Sequence, residues 1–141
     1  MVELIEKLYG SGCSCVIRNG AGETRFFYRK GVADLYGLIC NDPGFLKGAS
    51  IADKVVGKAA AALMIKGGIS RLYSAVLSEH AEKLLAAHGV QVSCGKSVPF
   101  IENRDKSGWC PLEKLSYNEN SIDAIFCRIE NFLFAAKGVK T

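Results

Sequence analysis

The chain has 141 residues, 49% of them hydrophobic and 23% charged, with a formal net charge of +4 at pH 7. That length supports one domain with a proper core, and the composition excludes a disordered chain. The mild excess of Lys and Arg forms no basic block or basic–aromatic interleaving, so nucleic-acid binding is not indicated, and no apolar run is long enough to span a bilayer.

The start, Met1-Val2-Glu3-Leu4-Ile5-Glu6-Lys7, lacks a charged segment followed by an apolar one. No signal peptide is expected, and the expected location is cytoplasmic. Val2 to Tyr9 reads as an amphipathic helix with Leu4, Ile5 and Leu8 on one side and Gly10 at its end. Ser14 to Arg18 and Glu23 to Tyr28 read as strands joined by the turn Asn19-Gly20-Ala21-Gly22, a β-hairpin. Cys13 and Cys15, two apart, are expected to point to one face of the first strand. Val32 to Cys40 is either a helix or an apolar connector, closed by Asn41-Asp42-Pro43-Gly44.

The stretch Lys47 to Ile65 reads as a polar loop running into a long apolar helix. Ser50 is its expected N-cap, and Ile51, Val55, Val56, Ala59 and Leu63 recur at helical spacing. Gly67-Gly68 stops it. Ile69 to Leu77 reads as a strand, and Ser78 caps a helix from Glu79 to about His88, with Glu79 and Glu82 near its positive end. Val90 to Ser93 is a further strand and Val98 to Ile101 a short last one. A polar loop from Glu102 to Glu113 follows, with Pro111 placed to open a short helix. Ser121 caps the final helix, Ile122 to about Lys137, whose Ile122, Ile125, Phe126, Ile129, Phe132 and Leu133 form a core-facing stripe.

A hairpin followed by βαβαβ crossovers gives an α/β fold, a three-layer α-β-α sandwich with a mixed sheet, in one domain over 1–141. Ligands in such sheets gather at the carboxyl ends of the parallel strands, beside helix N-termini. The two heads expected to meet there are Ser50-Ile51-Ala52-Asp53-Lys54 and Leu77-Ser78-Glu79-His80.

The element order, with Ile51-Ala52-Asp53-Lys54-Val55-Val56-Gly57-Lys58-Ala59, Val98-Pro99-Phe100-Ile101-Glu102-Asn103-Arg104 and Gly108-Trp109-Cys110-Pro111-Leu112-Glu113, resembles a small prokaryotic family of uncharacterised proteins with a cytidine-deaminase-like fold. The resemblance covers nearly the whole chain and implies that fold, with a dimer or larger homo-oligomer by analogy. Zinc deaminases place His-x-Glu (or Cys-x-Glu) at a first helix head and Pro-Cys-x-x-Cys at a second. Here Ala52-Asp53-Lys54 and Ser78-Glu79-His80-Ala81 stand at the expected heads, and Cys110-Pro111 reverses the Pro-Cys order. No metal and no cofactor are therefore expected.

Asp53, Lys54 and Lys58 are the candidate anion contacts at a helix N-terminus, with Lys54 and Lys58 expected on one face. Ser50, Ser78, Asn103, Arg104 and Trp109 complete the candidate ligand set: Arg104 can fork onto a phosphate and Trp109 can stack on a base. Asp53, Glu79 and Cys110 are the candidate catalytic groups, as bases or nucleophile. Each has an ordinary reading: helix-end carboxylates, solvated lysines, an ion-paired Arg104, a core-covering Trp109, a buried Cys110 thiol. The expectation is a metal-independent domain binding a nucleotide or small anionic ligand. A nucleotide-directed transferase and an oligomeric regulatory module are the alternatives.

Overall fold

The computed structural model describes residues 1–28, 32–101 and 111–136. Its elements are α1 (Val2–Gly10), β1 (Cys15–Arg18), β2 (Thr24–Phe27), α2 (Ala33–Asn41), α3 (Pro43–Leu46), β3 (Ser50–Val56), α4 (Lys58–Gly67), β4 (Arg71–Ser78), α5 (Glu79–Ala87), β5 (Gln91–Val98), α6 (Pro111–Ser116) and α7 (Ile122–Ala136). Five strands form one sheet in the order β2-β1-β3-β4-β5. The β1–β2 and β1–β3 pairs are antiparallel, whereas β3, β4 and β5 run parallel.

The main departure from expectation lies at Ser50–Val56, which is the central strand rather than the first turns of a helix. Ile51, Val55 and Ala59 do recur every four residues, but Gly57 cuts the run in two. Before it stand the β-branched Ile51, Val55 and Val56, which favour a strand that packs on both faces. After it come Ala59 to Ala62, which favour a helix. Ser50 is accordingly no N-cap: it lies at the amino end of β3, opposite Arg18 and Arg71. The helix begins at Lys58, with Gly57 as its N-cap residue in an extended conformation.

The parallel βαβαβ unit, β3-α4-β4-α5-β5, follows the hairpin. The strand expected over 90–93 runs on to Val98 as β5 (Gln91–Val98), and the short strand expected over 98–101 does not form. The hairpin turn is held by the Asn19 side chain, whose Oδ1 accepts the Ala21 and Glu23 amides at 3.0 and 2.8 Å. Ser78 Oγ caps α5 by accepting the Ala81 amide at 3.1 Å. Ser121 Oγ does the same for Ala124 at 3.3 Å.

Helices flank both faces of the sheet. On one face, Leu4 and Leu8 of α1 pack against Val16 and Ala52. On the other, α4 lies on the sheet with Ala59 to Met64 buried nearly all round, touching α2, α5, α6 and α7. Short alanine side chains allow this helix to be enclosed on every side. Ile125 and Ile129 of α7 are fully buried against the same core. Gly68 ends α4 in a left-handed conformation, φ 85°, and returns its amide to the Met64 and Ile65 carbonyls, a Schellman-type stop. Among the described residues no helix is long and apolar enough to cross a membrane.

Candidate functional site

A cavity of about 440 Å³ opens where the carboxyl end of β3 meets the amino end of antiparallel β1. Its size falls within the range of small-molecule pockets, and it lies where the chain leaves one half of the sheet for the other. Phe27, Val32, Leu35, Ala60, Ile101 and Leu112 give it a mainly apolar lining. The helix heads bordering it are those of α2, at Val32-Ala33-Asp34, and α4, at Gly57-Lys58-Ala59. The expected pair of heads is therefore corrected by one strand, because β3 displaces the first of them.

Asp53 lies on the cavity wall, directly across the ladder from Cys15. The Val55 amide donates to its Oδ1 at 3.4 Å, and the Lys54 amide and Cys15 thiol also act on the carboxyl. Burial dominates over these three donors and pushes Asp53 up to about 7. Among the described residues no cation is among the groups that act on it. The same burial, with Asp53 alongside, raises the Cys15 thiol well above its ordinary value. Cys15 is therefore a protonated thiol at neutral pH, not a ready nucleophile.

Cys13 and Cys15 do not share a face. Cys13 precedes β1 and packs into the α1 cluster, while Cys15 belongs to the core on the α4 side. Strand alternation does not reach Cys13, because β1 begins only at Cys15 and the chain bends at Ser14 between the two.

Glu113 closes the head of α4. One carboxylate oxygen accepts the Lys58 amide at 2.8 Å and the other accepts the Ile101 amide at 2.8 Å. A Cβ at residue 57 would lie 2.8 Å from Glu113 Oε1 and 3.2 Å from Ile101 Cγ1, so glycine is what lets the carboxylate approach. The negative charge sits at the positive end of the helix, where the unpaired amides need an acceptor. The Lys58 ammonium turns to the other side of this segment, donating to the Tyr117 carbonyl at 3.1 Å and to Asn120 Oδ1 at 2.9 Å. Burial lowers its pKa, against the nearby Glu119 and Glu113. Lys58 fastens the α6–α7 segment to α4, and it shares no helix face with Lys54, which belongs to β3.

Of the candidates read from sequence, Asp53 and Lys54 line the cavity. Ser50 stands at the opposite end of β3, Ser78 is buried as the α5 cap, and Glu79 is exposed in the first turn of α5. Neither Ser78 nor Glu79 forms a wall of the cavity. Asn103, Arg104, Trp109 and Cys110 lie outside the described residues. Sequence reasoning missed Cys15, Asp34 and Glu113 as cavity residues. Asp34 carried a signal, an acidic residue opening a possible helix straight after the hairpin; Glu113 stood at the end of the polar loop the sequence singles out, but nothing in its spacing placed it at the head of α4.

The fold and cavity together define an α/β domain with a mixed sheet and a mainly apolar, carboxyl-bearing pocket at the turning point of that sheet. Residues 3–133 match the family described as TM1506, a domain of unknown function (DUF1893), and the chain belongs to that family. It is also similar to the crystal structure of a DUF1893 family protein (TM1506) from Thermotoga maritima, solved at 2.70 Å. The two are 24% identical, with a TM-score of 0.83 over 92% of this chain and 87% of that one. At that identity the likeness concerns the fold. No curated protein matches the chain.

Proposed function

We propose that the chain is a small-molecule-binding domain on a cytidine-deaminase-like scaffold that lacks the zinc ligands. The cavity carries this reading: a mainly apolar pocket of about 440 Å³ with the Asp53 carboxyl in its wall. In support of the scaffold, the cavity is bordered by the helix that follows the hairpin and the helix that follows the third strand. Those are the places where the resemblance puts His-x-Glu and Pro-Cys-x-x-Cys. Here they read Val32-Ala33-Asp34 and Gly57-Lys58-Ala59-Ala60, with one carboxylate and neither an imidazole nor a thiol. The nearest thiol, Cys15, is kept protonated by burial. This donor set does not fit a zinc ion, and among the described residues no three His, Cys, Asp or Glu side chains are grouped to hold one.

The nucleotide or anionic ligand expected from sequence needed an open helix head flanked by two lysines. The α4 head is filled by Glu113 and Lys58 is committed to Tyr117 and Asn120, so a neutral or cationic organic guest suits the pocket better. Native mass spectrometry of the purified protein, followed by thermal unfolding with small aromatic ligands, tests the reading. A bound molecule or a ligand-dependent rise in Tm is expected, and Ala60→Phe, which fills the pocket, is expected to abolish it while the protein stays folded. A wild-type protein that no small molecule stabilises would refute the proposal.

A further inference from the structure

We infer that the cavity selects a positively charged, otherwise apolar organic molecule, an amine or amidine whose nitrogen sits on Asp53. The inference rests on the cavity being a ligand site, and it names the charge of the guest. Three observations carry it. First, among the described residues Asp53 receives hydrogen bonds from neutral donors, the Val55 and Lys54 amides and the Cys15 thiol, in a pocket with room for a further group. A carboxylate in apolar surroundings gains most from a partner of opposite charge that also donates hydrogen bonds.

Second, the element that would attract an anion is already occupied. The Lys58 amide at the head of α4 is spent on Glu113, and the Lys58 ammonium is spent on Tyr117 and Asn120. An anionic guest would have to displace a buried carboxylate from two amides. Third, most of the remaining lining is hydrocarbon, with Phe27, Leu35, Ile101 and Leu112 among it, which fits a ring or short alkyl body.

Among the described residues, the titratable groups around Asp53 are Cys15 on β1, Asp34 on α2, Lys54 on its own strand and Glu113 on α6. Lys54 is the one cation of the lining among the described residues, and its charge does not register on Asp53. With Asp53 titrating near 7, the cation site is mostly protonated at pH 6 and mostly ionised at pH 8. A cationic guest therefore binds more tightly as pH rises through that interval, by about tenfold.

Benzamidine, benzamide and benzoate share one ring and differ in charge, and calorimetric titration of the full chain with each at pH 6 and pH 8 tests the inference. Benzamidine is expected to bind at least tenfold more tightly than benzamide at pH 8, with benzoate weakest. Its affinity should fall about tenfold at pH 6. Asp53→Asn should erase the benzamidine preference while benzamide binding persists, which also shows that the variant folds. Equal affinity for all three probes, or a preference for benzoate, overturns the charge assignment and leaves the cavity reading standing. A preference that survives Asp53→Asn but disappears in Asp34→Asn moves the cation to α2 and overturns the placement. Failure of all three probes to bind overturns the cavity reading and this inference with it.

Discussion

Replacing Asp53 by Asn should make the protein more stable at pH 8 and leave it nearly unchanged at pH 4. An aspartate in an unfolded chain titrates near 4, whereas Asp53 in the folded protein is pushed up to about 7 by burial. Between those values the folded state holds a proton that the unfolded state has released. Stability therefore declines as pH rises: the contribution is fully present below about 4 and is lost by the time pH passes about 7. Each tenfold change in proton affinity is worth about 1.4 kcal/mol, so the ceiling on this loss is on the order of 4 kcal/mol. Water reaching the carboxyl through the cavity reduces it, and about 2 kcal/mol is the expected difference. Asn matches Asp in shape and has no charged form, so its stability curve lacks this decline. Urea titrations followed by circular dichroism at half-unit pH steps from 4 to 8 measure the effect. With a denaturant slope of about 2 kcal/mol per molar, the midpoint of the variant should overtake wild type by about 1 M at pH 8. Other titrating groups are common to both proteins and cancel in the difference. A difference that does not change with pH, or one in which wild type gains on the variant as pH rises, would refute the argument.

Glu113→Ala leaves the Lys58 and Ile101 amides without their acceptor and should cost about 2–4 kcal/mol, with faster hydrogen exchange at both amides. Gly57→Ala places a methyl group 2.8 Å from Glu113 Oε1 and should cost about 1–3 kcal/mol. The double variant should lose less than the sum, because removing the carboxylate makes the room the methyl needs; strict additivity in denaturant unfolding would contradict the contact. Cys15, protonated and buried, should react with a disulfide reagent at pH 8 far more slowly than the exposed Cys40 and Cys127, as read by peptide mapping over time. Equal labelling rates would count against its place in the core.

Helices with a clear stripe and clear punctuation were readable from the sequence. Leu4 and Leu8 in α1, Ile125 and Ile129 in α7, and the Ser78 cap of α5 each combine the right spacing with the right end signal. The hairpin was readable from Asn19 to Gly22 for the same reason. The central strand was not, because its apolar residues continue the four-residue spacing of the helix behind it. Periodicity summed across Gly57 reports one helix where there are a strand and a helix. That one displacement removed the first expected helix head, left the Ser78 head away from the cavity, and separated Lys54 from Lys58. The pocket was legible only at Asp53 and Lys54, residues of a single element. Cys15, Asp34 and Glu113 come from three further elements, and no local spacing brings them together. The Glu113–Lys58 contact joins residues 55 apart in the chain.

That separation bears on the order in which the molecule can form. Helix α4 lies at the centre of the core, yet its own flank supplies no Ser, Thr, Asp or Asn to hold its first amide. Its acceptor arrives with Glu113, and its lysine finds its partners at Tyr117 and Asn120. On a ribosome, the strands and helices through β5 emerge well before those residues do. The centre of the protein is therefore completed by its last third, and a chain interrupted before α6 would carry a frayed helix in the middle of its core.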